Sequence, residues 1–164
     1  MLFEWVKTIF ILPLNVLVFI PCVAVWVSGE RLGITGGWRF CAGTLLLAAG
    51  LTLAAWTMTL FHRIGKGTAA PWNPPKKLVV VGPYRYMRNP MLTSVFAMLI
   101  AEILLTGSWT VGVWFAIFLC ANMLYFPLVE EKDLLRRFGA DYATYKANVP
   151  RYIPRLTPWR GTPE

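Results

Sequence analysis

The chain has 164 residues, the length of one domain, but 57% of it is apolar and its mean hydropathy is +0.54, too apolar for a soluble domain of that size. Sixteen Lys and Arg against eight Asp and Glu leave a net charge of +8, which by itself fits a nucleic acid, an anionic lipid surface or a membrane topology. Cys22, Cys41 and Cys120 sit singly in apolar stretches without CxxC or Cys/His spacing, so they read as small core residues; neither a disulfide framework nor a metal site is indicated.

The pattern predicts an all-α integral membrane protein, a single membrane domain over residues 1–164 with about four transmembrane helices. Each apolar block approaches the ~20 residues that cross ~30 Å of hydrocarbon. The first covers about 8–28. Only Lys7 precedes it, Glu4 offsets that charge and no convincing cleavage site follows, so the block is expected to be retained. Pro13, Asn15 and Pro21 predict a kink in it. The second block, about 38–61, carries Gly43, Ala49, Gly50 and Ala54, small residues that let two backbones approach closely.

A polar segment, 62–90, follows, and Gly65, Gly67, Pro71, Pro74 and Pro75 predict an ordered irregular loop. Within it Leu78–Val81 suits an extended, strand-like piece, and Gly82-Pro83 a sharp turn with Gly82 at positive φ. Asn89 then caps the third helix, about 91–107, with Pro90 at its first position. Thr106-Gly107-Ser108 is so short that the fourth helix, about 109–129, must return antiparallel. A helix continues into water from Glu130 until Gly139 stops it, with Asp133 and Arg137 as an i,i+4 pair. Asp141 starts a last short helix whose Tyr142, Tyr145 and Val149 share a face, and the segment 130–164 closes the chain.

With a cytoplasmic N-terminus and four crossings, fourteen basic residues fall on the cytoplasmic side and two, Arg31 and Arg39, on the other. That positive-inside bias explains the basic excess, so no nucleic-acid partner is expected; membrane lipids, including an anionic surface, are. The same topology puts 62–90 and 130–164 on one face. There Glu130 and Glu131 are adjacent carboxylates at an apolar boundary, an arrangement that a cationic ligand would relieve. Asn122 and Tyr125 share a helix face before them and line either an acceptor pocket or a helix contact. Glu102 lies near the far end of the third helix, and His62 at a helix end reads as interfacial.

The stretch LVVVGPYRYMRNPM (residues 78–91), followed by VEEKDLLRRFGADYATYKANVPRYIPR (residues 129–155), resembles the isoprenylcysteine carboxyl methyltransferase and phospholipid methyltransferase superfamily, in its short, bacterial type. The family pattern is approximately LVxxGPYxxxRHPxY, then EExxLxxxFGxxYxxYxxxVPRxIP, and the resemblance covers roughly residues 65–158. It implies a membrane enzyme of a bacterial or archaeal inner membrane, with both termini cytoplasmic, that binds S-adenosylmethionine on the cytosolic side and takes a lipid-like or small apolar acceptor from the bilayer through an O, N or S nucleophile. Carried over by position, cofactor contacts come from Leu78, Val79, Gly82, Tyr84, Asn89, Pro90, Met91, Leu92, Glu130 and Glu131, and the catalytic residues are Arg88 and Asn89. Asn122, Tyr125, Phe126 and Arg151 are the substrate candidates.

The match has departures. Asn89 replaces the usual His, and Leu92 the usual Tyr. Phe126 stands where the eukaryotic isoprenylcysteine enzymes place an arginine for the substrate carboxylate, which weakens the case for a prenylcysteine acceptor. Two other readings remain: an NADPH-dependent enzyme resembling the sterol reductases, for which Arg85, Arg88 and Arg151 are the phosphate candidates, and a non-catalytic membrane scaffold.

Overall fold

An apolar segment away from water satisfies its backbone donors and acceptors most simply as a helix. All regular structure among the described residues of this computed structural model, 10–66 and 75–161, is helical, with no strand. The first helical stretch is π-helical over Phe10–Phe19 and continues as α1 (Ile20–Ser28). Pro13 lies inside the π segment, where its missing N–H and its ring suit a widened ladder. α2 (Trp38–Leu60) runs on through a π turn, Phe61–Gly65. α3 (Pro90–Thr106) and α4 (Trp109–Tyr125) follow, and α4 passes through a second π turn, Phe126–Glu130, into α5 (Glu131–Asn148).

Two continuous helices, Trp38–Gly65 and Trp109–Asn148, are long and apolar enough to cross a membrane, and Pro13–Ser28 and Pro90–Thr106 are shorter apolar helices. Only 11% of the most apolar stretch of each long helix is buried, whereas the core helix of a soluble protein is mostly covered. Their apolar faces therefore suit lipid. This also corrects the reading of the cysteines: Cys22, Cys41 and Cys120 are all exposed, because an apolar side chain facing lipid needs no protein core around it.

The chain divides into two compact units, Met1–Ala54 with Ser94–Cys120 and Ala55–Thr93 with Ala121–Glu164. In the first, α2 and α3 pack so closely that a Cβ on Gly50 would stand 2.8 Å from Met98 Cγ and 3.2 Å from the Ser94 carbonyl oxygen. The segment after α1 ties off the α3–α4 turn. Thr35 donates its N–H to the Leu105 carbonyl (2.9 Å) and its hydroxyl to that of Leu104 (2.6 Å), satisfying the end of α3. Glu30 accepts from the Ser108 hydroxyl (2.7 Å) and from the N–H groups of Trp109 (3.0 Å) and Thr110 (3.2 Å), capping α4.

The second unit is built differently. Its core is Val80, Tyr142, Tyr145 and Val149, with Leu78, Leu134, Phe138 and Trp159 packed against it. Gly139, at φ 51° and ψ −127°, breaks α5, so Tyr142 and Tyr145 sit on a separately directed helical piece. Asp133 and Arg137 form their i,i+4 pair at 3.2 Å on the exposed side.

Candidate functional site

The site is built on the segment that leads into α3. Val81 is extended (φ −137°, ψ 159°), but the run 78–81 pairs with no strand, so it is strand-like in dihedral angle alone. Gly82 then takes φ +55°, and a Cβ there would lie 3.2 Å from both Leu60 Cδ1 and Trp56 Cζ2. Both the angle and the space call for glycine. Pro83 sets the first turn of a 3-10 helix, Gly82–Arg85, which drives Tyr84 inward until it is 5% exposed.

Tyr84 is held at its backbone but not at its hydroxyl. Its carbonyl accepts the Tyr145 hydroxyl at 2.6 Å, and its ring lies 5.4 Å from that of Phe61. Its own hydroxyl is buried with no hydrogen-bond partner among the described residues. Such an orphan costs on the order of 1–3 kcal/mol, so the rest of the fold must offset it. Burial first, then Tyr145 and Glu130, push this phenol well above its usual pKa, which places Glu130 within electrostatic reach of it.

The C-terminal segment is laced along the same stretch by backbone bonds. Arg88 N–H donates to the Pro150 carbonyl (2.8 Å), Asn89 N–H to that of Arg151 (3.0 Å), Arg155 N–H to that of Tyr86 (3.0 Å) and Trp159 N–H to that of Arg85 (2.9 Å). Asn89 directly precedes α3, and its carbonyl accepts the Thr93 N–H at 3.0 Å. Pro90 is fully buried, Val79 is buried, and Leu78, Met91 and Leu92 are half-buried.

The two adjacent glutamates take different roles. Glu131 is 3% exposed, and its Oε1 accepts from Arg88 Nη1 (2.8 Å) and Arg151 Nε (2.8 Å), with Arg151 Nη2 2.7 Å away, while Oε2 faces Lys146 Nζ at 2.7 Å. Burial pushes its carboxyl up, but Lys146, Arg151 and Arg88 outweigh that and leave it below the usual range. Glu130 is half-buried, and no hydrogen bond or ion pair engages its carboxylate among the described residues. Burial above all, with Asp133 adding and Arg137 partly opposing, raises it to about 7. Of the pair, Glu130 is the one that stands outside the ion-pair cluster.

Arg88, expected as a catalytic residue, is 9% exposed at its side chain and engaged throughout. Its Nε donates to the Val149 carbonyl (2.9 Å) and its Nη1 to Glu131 and to the Tyr142 hydroxyl (3.2 Å). It ties the two segments together. Among the substrate candidates, Phe126 is buried with its ring edge-on to Tyr125 (6.1 Å) and Tyr152 (6.2 Å). The Tyr152 hydroxyl reaches the Asn122 carbonyl at 3.5 Å, and the Arg151 guanidinium lies 5.9 Å from the Tyr152 ring.

Every candidate cofactor, catalytic and substrate residue thus belongs to the second unit, while Glu102 belongs to the first. Sequence reasoning missed Lys146 as a partner of Glu131, Tyr145 as the clamp on Tyr84, and Phe61. The aromatic spacing of Tyr142 and Tyr145 was the available signal for one clamp; nothing local pointed to Lys146. Among the described residues no His, Cys, Asp and Glu group could hold a metal.

The family model described as phospholipid methyltransferase matches residues 38–141, a span that includes the Tyr84 turn and both glutamates. No curated protein and no solved structure matches the chain.

Proposed function

The chain belongs to the phospholipid methyltransferase family, and from that membership we propose that it moves a methyl group from S-adenosylmethionine to a lipid-like acceptor held in the bilayer. The reading includes four crossings at about 8–28, 38–61, 91–107 and 109–129, with the segments 62–90 and 130–164 cytosolic. Fourteen basic residues against two support that orientation. The acceptor presents an O, N or S nucleophile.

One observation carries the proposal: the matched segment holds both a buried phenol whose hydroxyl has no hydrogen-bond partner among the described residues and a half-buried carboxylate outside the ion-pair cluster. The residues fit the cofactor. When bound, S-adenosylmethionine supplies an electrophilic methyl on a positively charged sulfur and carries an ammonium group. Glu130 would face that positive charge, Tyr84 would give or accept a hydrogen bond, and the half-buried residues about Gly82 and Met91 would line an apolar wall. Phe61, whose ring lies 5.4 Å from that of Tyr84, would help to keep water from it. Methyl transfer at carbon needs alignment more than proton transfer, and the ion-pair cluster of Glu131, Arg88, Arg151 and Lys146 holds the two segments in register for it. Asn89, with a neutral amide where a titratable ring is usual, keeps its place in that alignment without adding a charge.

An NADPH site would need several uncommitted cations for phosphate, and Arg88 and Arg151 are already bound to Glu131. Calorimetric titration of purified protein with S-adenosylmethionine and with its demethylated product tests the proposal. Glu130→Gln and Tyr84→Phe should each weaken binding by about tenfold or more, the scale of one hydrogen bond to a charged group. Unchanged affinity in both variants would remove the site.

A further inference from the structure

We propose that residues 151–160 form a leaflet anchor, in which Ile153 and Leu156 enter the head-group region of an anionic membrane surface while Arg155 and Arg160 meet its phosphates. The inference rests on the membrane reading above and adds to it a specific contact at the rim of the site. Ile153 is 80% exposed and Leu156 100%, although Val149, a few residues earlier, is 1% exposed in the core. They do not belong to a loose tail. The Asn89 N–H is bonded to the Arg151 carbonyl, the Arg155 N–H to the Tyr86 carbonyl and the Trp159 N–H to the Arg85 carbonyl, and the Trp159 ring packs 5.7 Å from that of Tyr145. Pro150, Pro154 and Pro158 restrict the backbone further. Two apolar side chains are therefore held outward on a pinned strap, an arrangement that water does not favour.

The charge around them selects the occupant. From Tyr142 to Gly161 the chain carries Lys146, Arg151, Arg155 and Arg160 and no acidic residue. The nearby Glu131 is one carboxylate shared among three cations, so the cluster keeps a positive surplus. Arg160 is exposed, and Arg155 gives one N–H to the Asn148 carbonyl at 2.7 Å and forms no ion pair among the described residues. Exposed apolar and cationic side chains on one short segment are the composition of an interfacial anchor on anionic lipid. A protein partner is the weaker fit, since two side chains fall far short of the ~800 Å² per partner of a stable interface.

Spin-label depth measurements on the full chain in lipid vesicles test this. In a background of Cys22→Ala, Cys41→Ala and Cys120→Ala, nitroxides are placed at Ile153→Cys, Leu156→Cys and, as a reference on α2, Leu45→Cys, which is 72% exposed. In vesicles containing phosphatidylglycerol, the labels at 153 and 156 should be broadened more by oxygen than by a water-soluble nickel chelate. Adding Arg155→Gln and Arg160→Gln should move both labels toward water there. In purely zwitterionic vesicles the labels should sit shallower and the arginine changes should have no effect. Labels at 153 and 156 in water while the one at 45 is in lipid would overturn the anchor alone; a label at 45 in water would overturn the membrane reading beneath it. Equal depth in both lipids would overturn the anionic preference, and spin–spin broadening between copies would assign the patch to self-association instead.

Discussion

The unit around Gly50 and the unit around Glu131 reach a fixed structure by opposite means. In the first, α2 and α3 touch through glycine, and the polar work is confined to the turn where Glu30 and Thr35 satisfy two helix ends. In the second, an irregular segment and a C-terminal strap have little helical hydrogen bonding of their own, and a buried carboxylate with three cations joins them. Close packing suits a unit whose surroundings are apolar. Ion pairing suits one built from irregular segments, because charges can fix a backbone that has few helical hydrogen bonds of its own.

Removing the carboxylate should therefore have the largest effect. Glu131→Ala leaves Arg88, Arg151 and Lys146 without their counter-ion, and breaking a buried pair costs about 3–5 kcal/mol. Chemical unfolding in detergent should show that loss. Cofactor affinity should fall with it, since Tyr84 and Glu130 lose their relative placement. The pH dependence has a defined sign. The folded pKa of Glu131 is depressed, so its stabilisation is fully present above the unfolded value of 4.5 and is lost as pH falls through the folded value. A melting temperature flat from pH 7 down to 3 would contradict the cluster's role.

The first unit breaks by volume. Gly50→Val puts a branched side chain where even a Cβ would be 2.8 Å from Met98 Cγ, and overpacking of this kind costs about 1–3 kcal/mol. Gly36→Val, with nothing within 4 Å of its Cβ position, should by comparison leave stability close to wild type. If the two variants melt alike, α2 and α3 are not in close contact at Gly50.

Much of this contrast could be read from residue order. Apolar runs gave the helices because length and hydropathy are local properties, and Gly82-Pro83 gave its turn because φ preference is local as well. The adjacent glutamates could be recognised as unusual, but not told apart: their difference depends on Arg88, Lys146 and Arg151, which lie at separations that follow no helical period. Arg88 was singled out for its chemistry, while its bonds to Glu131, Tyr142 and Val149 across the two segments had no local signal for the same reason. The cysteines were misread because a rule about soluble cores was applied to helices whose apolar faces are uncovered. The orphaned Tyr84 hydroxyl had no sequence signal, since orphanhood is defined by what fails to arrive nearby.

Glu130 gives a smaller, ligand-linked effect. A raised carboxyl contributes stability below its unfolded pKa of 4.5 and loses it as pH rises through about 7. A cation beside it restores the charged form, so affinity for S-adenosylmethionine should increase with pH through about 7, by at most about tenfold per unit below that point. Glu130→Gln should flatten the profile. A pH-dependent wild type with an equally pH-dependent variant would assign the titration to another group.

The smallest effect belongs to the pair that sequence identified most easily. Asp133 and Arg137 meet at 3.2 Å, but their side chains are 56% and 26% exposed, in contrast to 3% for Glu131. Exposed pairs at this spacing stabilise by about 0.3–0.5 kcal/mol, because water already solvates both charges and salt screens what remains. Arg137 also donates to the Pro75 carbonyl, a contact that does not need Asp133. Asp133→Asn should therefore shift the unfolding midpoint barely above error at low salt and not at all at high salt. A shift comparable to that of Glu131→Ala would mean that the surface pair, and not the buried cluster, holds α5 to the loop, and the contrast between the two kinds of charge would fail at its weakest member.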